Sequence, residues 1–321
     1  MNAPLLSVVV PVLNEEGTLE LLHERVRAAL ADLSYELVIV DDGSTDSSAA
    51  IVESWIADGE PVTLVQLSRN FGMEVAMSAG LDHSGGAYVV LMHADLQDPP
   101  ELIPEMLAKG QSGADVVYAR RIGRDESLLK RQLATGFYAL MSRLARTPYQ
   151  GQAGDFRLMS RRVIEAVAGM PEKRRFLRGM VAWVGFEQVP VEYRRAGRRS
   201  GRGASYGALF RLALEALASF SDVPLTLATI AGTTIALIAT ASALGIAAAS
   251  LLGLVAPSLG LSILITVLFL SGVQLISVGI LGRYLARVHE QVLGRPLYVT
   301  QRVARPAAWD ARRNERRNVR P

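Results

Sequence analysis

Glu36-Leu37-Val38-Ile39-Val40 runs straight into Asp41-Asp42-Gly43-Ser44-Thr45-Asp46, and this passage decides the fold. A short apolar run ends in turn formers, and a helical pattern, Ser47–Ala57, follows at once. The same alternation recurs on both sides. Further candidate strands are Leu6–Val12, Thr63–Leu67, Tyr88–Met92 and Asp115–Tyr118, and further candidate helices are Gly17–Leu30 and Met73–Asp82. Alternating strands and helices predict an α/β domain with a mostly parallel sheet. Ligands of such open sheets sit at the carboxyl ends of the strands. The polar clusters fall there: Asn14-Glu15-Glu16 after the first strand, Asp41 to Ser44 after the second, and His93-Ala94-Asp95-Leu96-Gln97-Asp98 after the fourth. No G-x-G-x-x-G follows the first strand, so a dinucleotide-binding Rossmann domain has no support.

Composition narrows the class. The 321 residues are 50% hydrophobic, contain no Cys and carry a formal net charge of +3. Disorder, collagen and a disulfide-stapled secreted module are thereby excluded. Mean hydropathy is +0.24, high for a cytosolic enzyme. Lys occurs only at 109, 130 and 173, so the basic residues are almost all Arg. Arg forks onto phosphates and suits a phosphate-rich site or an anionic surface; a genomic composition bias explains the same count.

Val223 through Gly282 has no Asp, Glu, Lys, Arg or His. Pro257 divides this run into Leu225–Val255 and Leu259–Leu281, each long enough for the roughly 20 apolar residues of a spanning helix. The expectation is a two-helix hairpin in the inner cell membrane, multi-pass, with the Arg-rich flanks placing the catalytic domain and both termini in the cytoplasm. The start of the chain lacks the features of a signal peptide. Amphipathic patterns on either side, with Leu209, Ala213, Leu217 and Phe220 before the run and Leu285, Val288 and Val292 after it, predict helices at the membrane surface or packed on the globular domain. The tail from Arg302 is polar and Arg-rich, and is expected to be disordered or lipid-associated. The expected divisions are 1–203, 204–222, 223–282 and 283–321.

Acidic residues at strand ends without a phosphate-cradling Gly loop suggest a divalent metal, Mn²⁺ or Mg²⁺, that neutralises a nucleotide diphosphate. Asp95 and Gln97 offer oxygen ligands two residues apart on one side of an extended segment, and His93 is the third member of that face. Pro11-Val12-Leu13-Asn14-Glu15, Val40 to Asp46 and Ala94-Asp95-Leu96-Gln97-Asp98-Pro99-Pro100-Glu101 together resemble the family 2 glycosyltransferases, above all those that act on polyprenyl phosphates. Ser68-Arg69-Asn70-Phe71-Gly72, Asp155-Phe156-Arg157-Leu158 and Ser219 to Leu225 extend the resemblance over most of the chain.

The resemblance implies a GT-A nucleotide-sugar-binding domain and inverting transfer of one sugar, by default from UDP-glucose, to undecaprenyl phosphate. Pro11, Leu13 and Glu15 would border base and ribose, Asp42 would accept a hydrogen bond from the base, and Ala94 would line the donor site. Asp42 also fits a plain turn role. Asp95 and Gln97 would hold the metal. His93 stands where relatives carry Asp; it is either a ligand, favouring Mn²⁺ over Mg²⁺, or a hydrogen-bond partner of the donor. Arg121, Lys130, Arg131 and Thr135 would cradle the acceptor phosphate, with Arg131 aligning the attacking oxygen. Arg199, Arg202 and Ser205 lie in a Gly-rich loop that resembles a mobile cover over the diphosphate. Asp155 would hold the donor sugar or an Arg of the cradle. Trp183 and Phe186 read as core, with the sugar pocket as the other role. The expected partners are a nucleotide sugar, the lipid phosphate, the membrane and further copies of the chain, a tetramer by resemblance, with no nucleic acid. A processive polysaccharide synthase and a non-catalytic sugar-nucleotide-binding scaffold are the competing readings; the first lacks its Gln-x-x-Arg-Trp motif here, and the second has no need of an acceptor cradle.

Overall fold

The computed structural model describes residues 4–121, 153–173, 175–193 and 259–306, with isolated positions between 234 and 252. Eight strands form one sheet in the order β7-β5-β6-β4-β1-β2-β3-β8. Their ranges are β1 Leu6–Val12, β2 Tyr35–Asp41, β3 Val62–Leu67, β4 Tyr88–Leu91, β5 Val116–Arg121, β6 Ala153–Ser160, β7 Gln188–Tyr193 and β8 Thr300–Ala304. Strands β1 to β4 are mutually parallel, and β5 pairs parallel with β7. Only β6 and β8 run against the rest. The expected α/β domain with a mostly parallel sheet is what forms.

Both faces of the sheet are covered, which is why its central strands are continuous apolar runs rather than alternating ones. On one face Val8, Val10 and Val12 meet α1 (Glu16–Ala29), α2 (Ser48–Ala57) and α4 (Ile103–Gln111). On the other, Val9, Val38 and Val40 meet α3 (Met73–His83), α5 (Arg161–Ala168) and α6 (Leu177–Trp183). Helix α3 comes unusually close to β1: a Cβ on Gly80 would lie 2.2 Å from Val9 Cγ1. At the amino ends of the strands, the buried Glu36 carboxylate accepts hydrogen bonds from Ser7 Oγ and Gly85 N, both 2.5 Å, while Gly86 N donates to Ser7 Oγ at 2.8 Å. A buried carboxylate that takes both bonds on its Oε1 pins β1 and β2 to the approach of β4.

The stretch expected as a basic tail supplies β8. It lies antiparallel to β3, with Ser68 N donating to Val299 O at 2.9 Å and Tyr298 Oη to Asp82 at 2.9 Å. The chain divides into two compact units, and residues 296–306 belong with the sheet. The other unit holds α7, Leu259–Val292.

The multi-pass membrane location is overturned: among the described residues no helix is long and apolar enough to cross a membrane. Freedom from charge, the criterion used on the sequence, is weaker than continuous apolarity over about 20 residues. Polar Thr266, Gln274 and Ser277 are spread through α7, and the helix runs on through Tyr284, His289 and Glu290. The second amphipathic segment is therefore the end of α7, not a separate helix. The first expected span falls almost wholly outside the described residues, as does the 204–222 helix.

Candidate active site

The loops after β1 and β2 are clamped to each other. Asn14 has φ +55, a conformation Asn tolerates because its short amide can bond locally. Its Oδ1 accepts from Thr45 N at 2.8 Å, and its own N–H donates to Ser44 Oγ at 3.0 Å. Glu15 N donates to Ser48 Oγ (3.0 Å), and Ser47 N to Glu16 Oε2 (2.9 Å). Pro11 is half-buried at the end of β1, and Leu13 is 40% exposed, an apolar side chain left open beside these loops. Glu15 turns its carboxylate to Thr18 Oγ1, 3.0 Å away.

Asp42 is buried, and its two oxygens accept from Phe71 N (2.7 Å) and Gly72 N (2.9 Å). It thus ties the loop after β2 to the loop after β3. Burial pushes its carboxyl above the ordinary value, and the two N–H groups pull back. Gly43, at φ +82, lets the two backbones touch; a Cβ there would lie 2.8 Å from Arg69 C and Asn70 N. The Arg69 guanidinium sits over the Phe71 ring, 3.9 Å from its centroid.

After β4 the chain does not stay extended. Leu96 has φ +60, which costs a non-Gly residue about 1–2 kcal/mol, and the turn so formed breaks the alternation assumed for residues 93, 95 and 97. Asp95 Oδ1 accepts from Gln97 N at 3.1 Å, and Asp98 Oδ2 accepts from His93 N at 3.1 Å. Ala94, Gln97 and Asp98 are buried; His93 and Asp95 are partly open.

Strand β6 runs antiparallel to β4, so its first residues arrive at the carboxyl ends of the parallel strands. That brings Asp155 to His93, with Nε2 3.3 Å from Oδ2. Both oxygens of Asp155 also receive Arg178, from the first turn of α6, through Nε and Nη2. Burial alone would raise the Asp155 carboxyl, but Arg178 and His93 hold it far below the usual carboxylate range. Burial works against the charged form of His93, and Asp155, Asp98 and Asp95 outweigh it, so its value is raised. Glu74, in α3, completes the cluster: Oε2 accepts from Leu177 N at 2.9 Å, and burial raises its carboxyl.

Arg178 and Glu74 were not singled out in the sequence, because only the packing of α6 over β6 and α3 brings them here. Of the expected acceptor cradle, Arg121 ends β5 opposite Tyr193 of β7. Lys130, Arg131 and Thr135 lie outside the described residues, as do Arg199, Arg202 and Ser205. Trp183 is 71% exposed and so is not core; it falls at the last turn of α6, beyond the reach of the sheet. Phe186 does pack against the α3–α5 layer.

The description of family 2 of the glycosyl transferases matches residues 7–168. The chain belongs to that family. An uncharacterized glycosyltransferase of Synechocystis is 41% identical over 298 residues, 92% of this chain and 94% of that one. The SfII prophage-derived bactoprenol glucosyl transferase of Shigella flexneri is 39% identical over 301 residues, 92% of this chain and 97% of that one. Among solved structures, the glucosyl-3-phosphoglycerate synthase of Mycobacterium tuberculosis superposes with a TM-score of 0.48 at 22% identity, over 67% of this chain and 78% of that one. This glycosyltransferase has the GT-A α/β fold, and the clamped loops and the His93–Asp155–Arg178 cluster lie within or directly beside its matched region.

Proposed function

We propose that this glycosyltransferase moves one glucosyl unit from UDP-glucose to a polyprenyl phosphate with inversion at the anomeric carbon. The bactoprenol glucosyl transferase of Shigella flexneri, alike over nearly its whole length, supports the acceptor and the sugar. The single observation that carries the reading is the state of Asp155. A hydroxyl acceptor needs a base to take its proton, and a carboxylate held by Arg178 far below its ordinary value is a poor one. A phosphate monoester is already an anionic nucleophile and needs alignment and charge compensation only. This favours the lipid phosphate over a sugar hydroxyl, and so over a processive polysaccharide synthase.

Leu13, Pro11 and Glu15 border the base and ribose in this reading, with Asp42 holding the 70–72 loop against them and Ala94 at the floor. Arg199, Arg202 and Ser205 cover the diphosphate. Arg121, Lys130, Arg131 and Thr135 cradle the acceptor phosphate, Arg131 pointing its oxygen at the anomeric carbon. Asp95 and Gln97 suit a divalent ion such as Mn²⁺ or Mg²⁺. Among the described residues no three His, Asp or Glu converge to hold a metal, yet Asp95 Oδ2 has no protein partner. Asp95 and Gln97 would hold such an ion, which when bound would supply charge neutralisation for the departing diphosphate.

Incubation of the purified protein with UDP-glucose and undecaprenyl phosphate, with mass spectrometry of the lipid products, tests the reading. The expected product is a monoglucosylated lipid phosphate that depends on added Mn²⁺. Chain extension beyond one sugar, or glucose on a hydroxyl acceptor, overturns it.

A further inference from the structure

The side chain of Trp183 is 71% exposed, and among the described residues of the unit that holds the sheet no other aromatic side chain is exposed. Its neighbour Phe186 is covered: it packs against the α3–α5 layer and lies under the guanidinium of Arg162, 5.0 Å from the ring centroid. Among the described residues the indole of Trp183 makes no hydrogen bond and meets no ring or cation. The backbone that carries it is nevertheless held firmly. Helix α6 is seated by the buried Leu177, Met180 and Val181. At its end Val184 N donates to Met180 O at 3.1 Å and Gln188 Nε2 to Val181 O at 3.2 Å, and Gly185, at φ +76, turns the chain away. A large ring left open on a fixed backbone offers contact area to an apolar ligand at little cost in entropy.

We infer that Trp183 is a binding residue for the isoprenoid chain of the acceptor, met where that chain leaves the phosphate. The inference rests on the polyprenyl-phosphate reading given under the proposed function and adds to it a contact for the chain. Position supports it. Trp183 ends the helix whose first turn carries Arg178 onto both oxygens of Asp155, and it stands about 8 Å further along the helix axis. Chemistry supports it as well. Beyond its phosphate an isoprenoid has no hydrogen-bonding group, so only apolar and aromatic surface can recognise it. Val184 and Phe186, which follow Trp183, extend that surface. The donor sugar fits this place less well, because a sugar asks for hydroxyl partners in an enclosed pocket, and in the proposed reading the donor lies against the loops after β1, β2 and β3, whereas α6 follows β6.

Indole fluorescence of the full-length protein reads the contact without turnover. The chain has three Trp, at 55, 183 and 309, and Trp55 is buried. At constant detergent, undecaprenyl phosphate is expected to shift the wild-type emission to the blue as its chain covers the ring, UDP-glucose alone is not, and Trp183→Phe is expected to lose the shift. In initial-rate assays Trp183→Ala is expected to raise KM for undecaprenyl phosphate about 10-fold, the effect of losing one face of an indole, with kcat and KM for UDP-glucose within about twofold. Trp183→Phe should recover most of that loss, since a smaller ring still presents an apolar face. Should Trp183→Ala fail to fold, the emission of Trp183→Phe decides. A loss confined to kcat, or a rise in KM for UDP-glucose instead, overturns the inference, the first assigning the ring to the packing of the protein and the second to the donor sugar. The same blue shift with vesicles that lack polyprenyl phosphate also overturns it, in favour of a bilayer surface. A monoglucosylated lipid phosphate formed with unchanged KM in Trp183→Ala removes the contact at Trp183 and leaves the acceptor reading standing. Failure of the wild type to glucosylate undecaprenyl phosphate overturns both.

Discussion

Asp42→Ala should unfold the donor side of the site before it disturbs any chemistry. The carboxylate accepts the N–H groups of Phe71 and Gly72 at 2.7 and 2.9 Å and is their partner in a buried place. Hydrogen bonds to a charged group are worth about 1.5–3 kcal/mol each, and their loss strands two donors. Against that stands the burial of the carboxylate, which raises its pKa by more than the two N–H groups lower it; removing the charge recovers part of that cost. The net expectation is a loss of about 2–4 kcal/mol. At roughly 2–4 °C per kcal/mol for a domain of this order of size, Tm should fall by about 5–15 °C. Asp42→Asn should fall between the two, since one oxygen still accepts while its NH₂ faces a donor. Thermal unfolding of the three proteins at fixed pH is the assay, with UDP affinity measured well below Tm. A Tm within 2 °C of the wild type in Asp42→Ala would refute the argument that this carboxylate holds the 70–72 loop, since two orphaned donors cost roughly that much at the least.

Further outcomes follow from the same geometry. Asp95→Ala should abolish glucosyl transfer while leaving Tm near wild type, because among the described residues Asp95 bonds only Gln97 N within a turn; turnover near the wild-type rate would refute its place at the ion. His93→Asp should raise activity with Mg²⁺ relative to Mn²⁺, read from initial rates across both ions. Gly80→Ala gains about 1 kcal/mol of helix propensity, yet its Cβ meets Val9 Cγ1 at 2.2 Å, an overlap that costs about 1–3 kcal/mol; urea unfolding should show net destabilisation. Burial lowers the pKa of His23, which stacks on Trp55 at 4.2 Å with Nε2 unbonded among the described residues. The unfolded chain therefore takes up the proton first, so stability is full above about pH 6.5 and falls as pH drops below it; in His23→Phe that part of the Tm loss between pH 7 and 5.5 should vanish.

The parallel half of the sheet was readable because burial on both faces makes its strands plain apolar runs, each closed by turn formers: Leu6–Val12 ends at Asn14, and Tyr35–Asp41 at Gly43. Strands β6, β7 and β8 carry no such mark. In β6, Asp155 and Arg157 are buried because each finds a polar partner, which hides the strand from any hydropathy pattern. In β7, Pro190 lowers the strand signal, and it is tolerated because β7 lies at the edge of the sheet. Strand β8 has Arg302 in its middle, paired with Glu53 of α2. The site was legible to the same depth. His93 and Asp95 stand out as polar residues just after a strand and Asp155 only through the family resemblance, whereas Arg178 is one Arg among many until α6 is folded against β6.

The two ends of the sheet differ in a way that bears on function. At the amino ends the buried Glu36 and Ser7 pair with each other and with the backbone of Gly85 and Gly86 in a closed set. At the carboxyl ends the backbone is forced at two non-glycine residues, Asn14 at φ +55 and Leu96 at φ +60, while Asp95 Oδ2 and His93 Nδ1 have no hydrogen-bond partner among the described residues. Strain and unspent bonding capacity both oppose stability, so they persist where the surrounding structure imposes them. Here the imposing groups can be named: Asp98 on the His93 N–H, Thr45 on Asn14, Asp42 on the 71–72 backbone and Arg178 on Asp155. Each is a hydrogen bond made inside the protein, and together they hold the loops after β1, β2, β3 and β4 in the conformations that carry this strain.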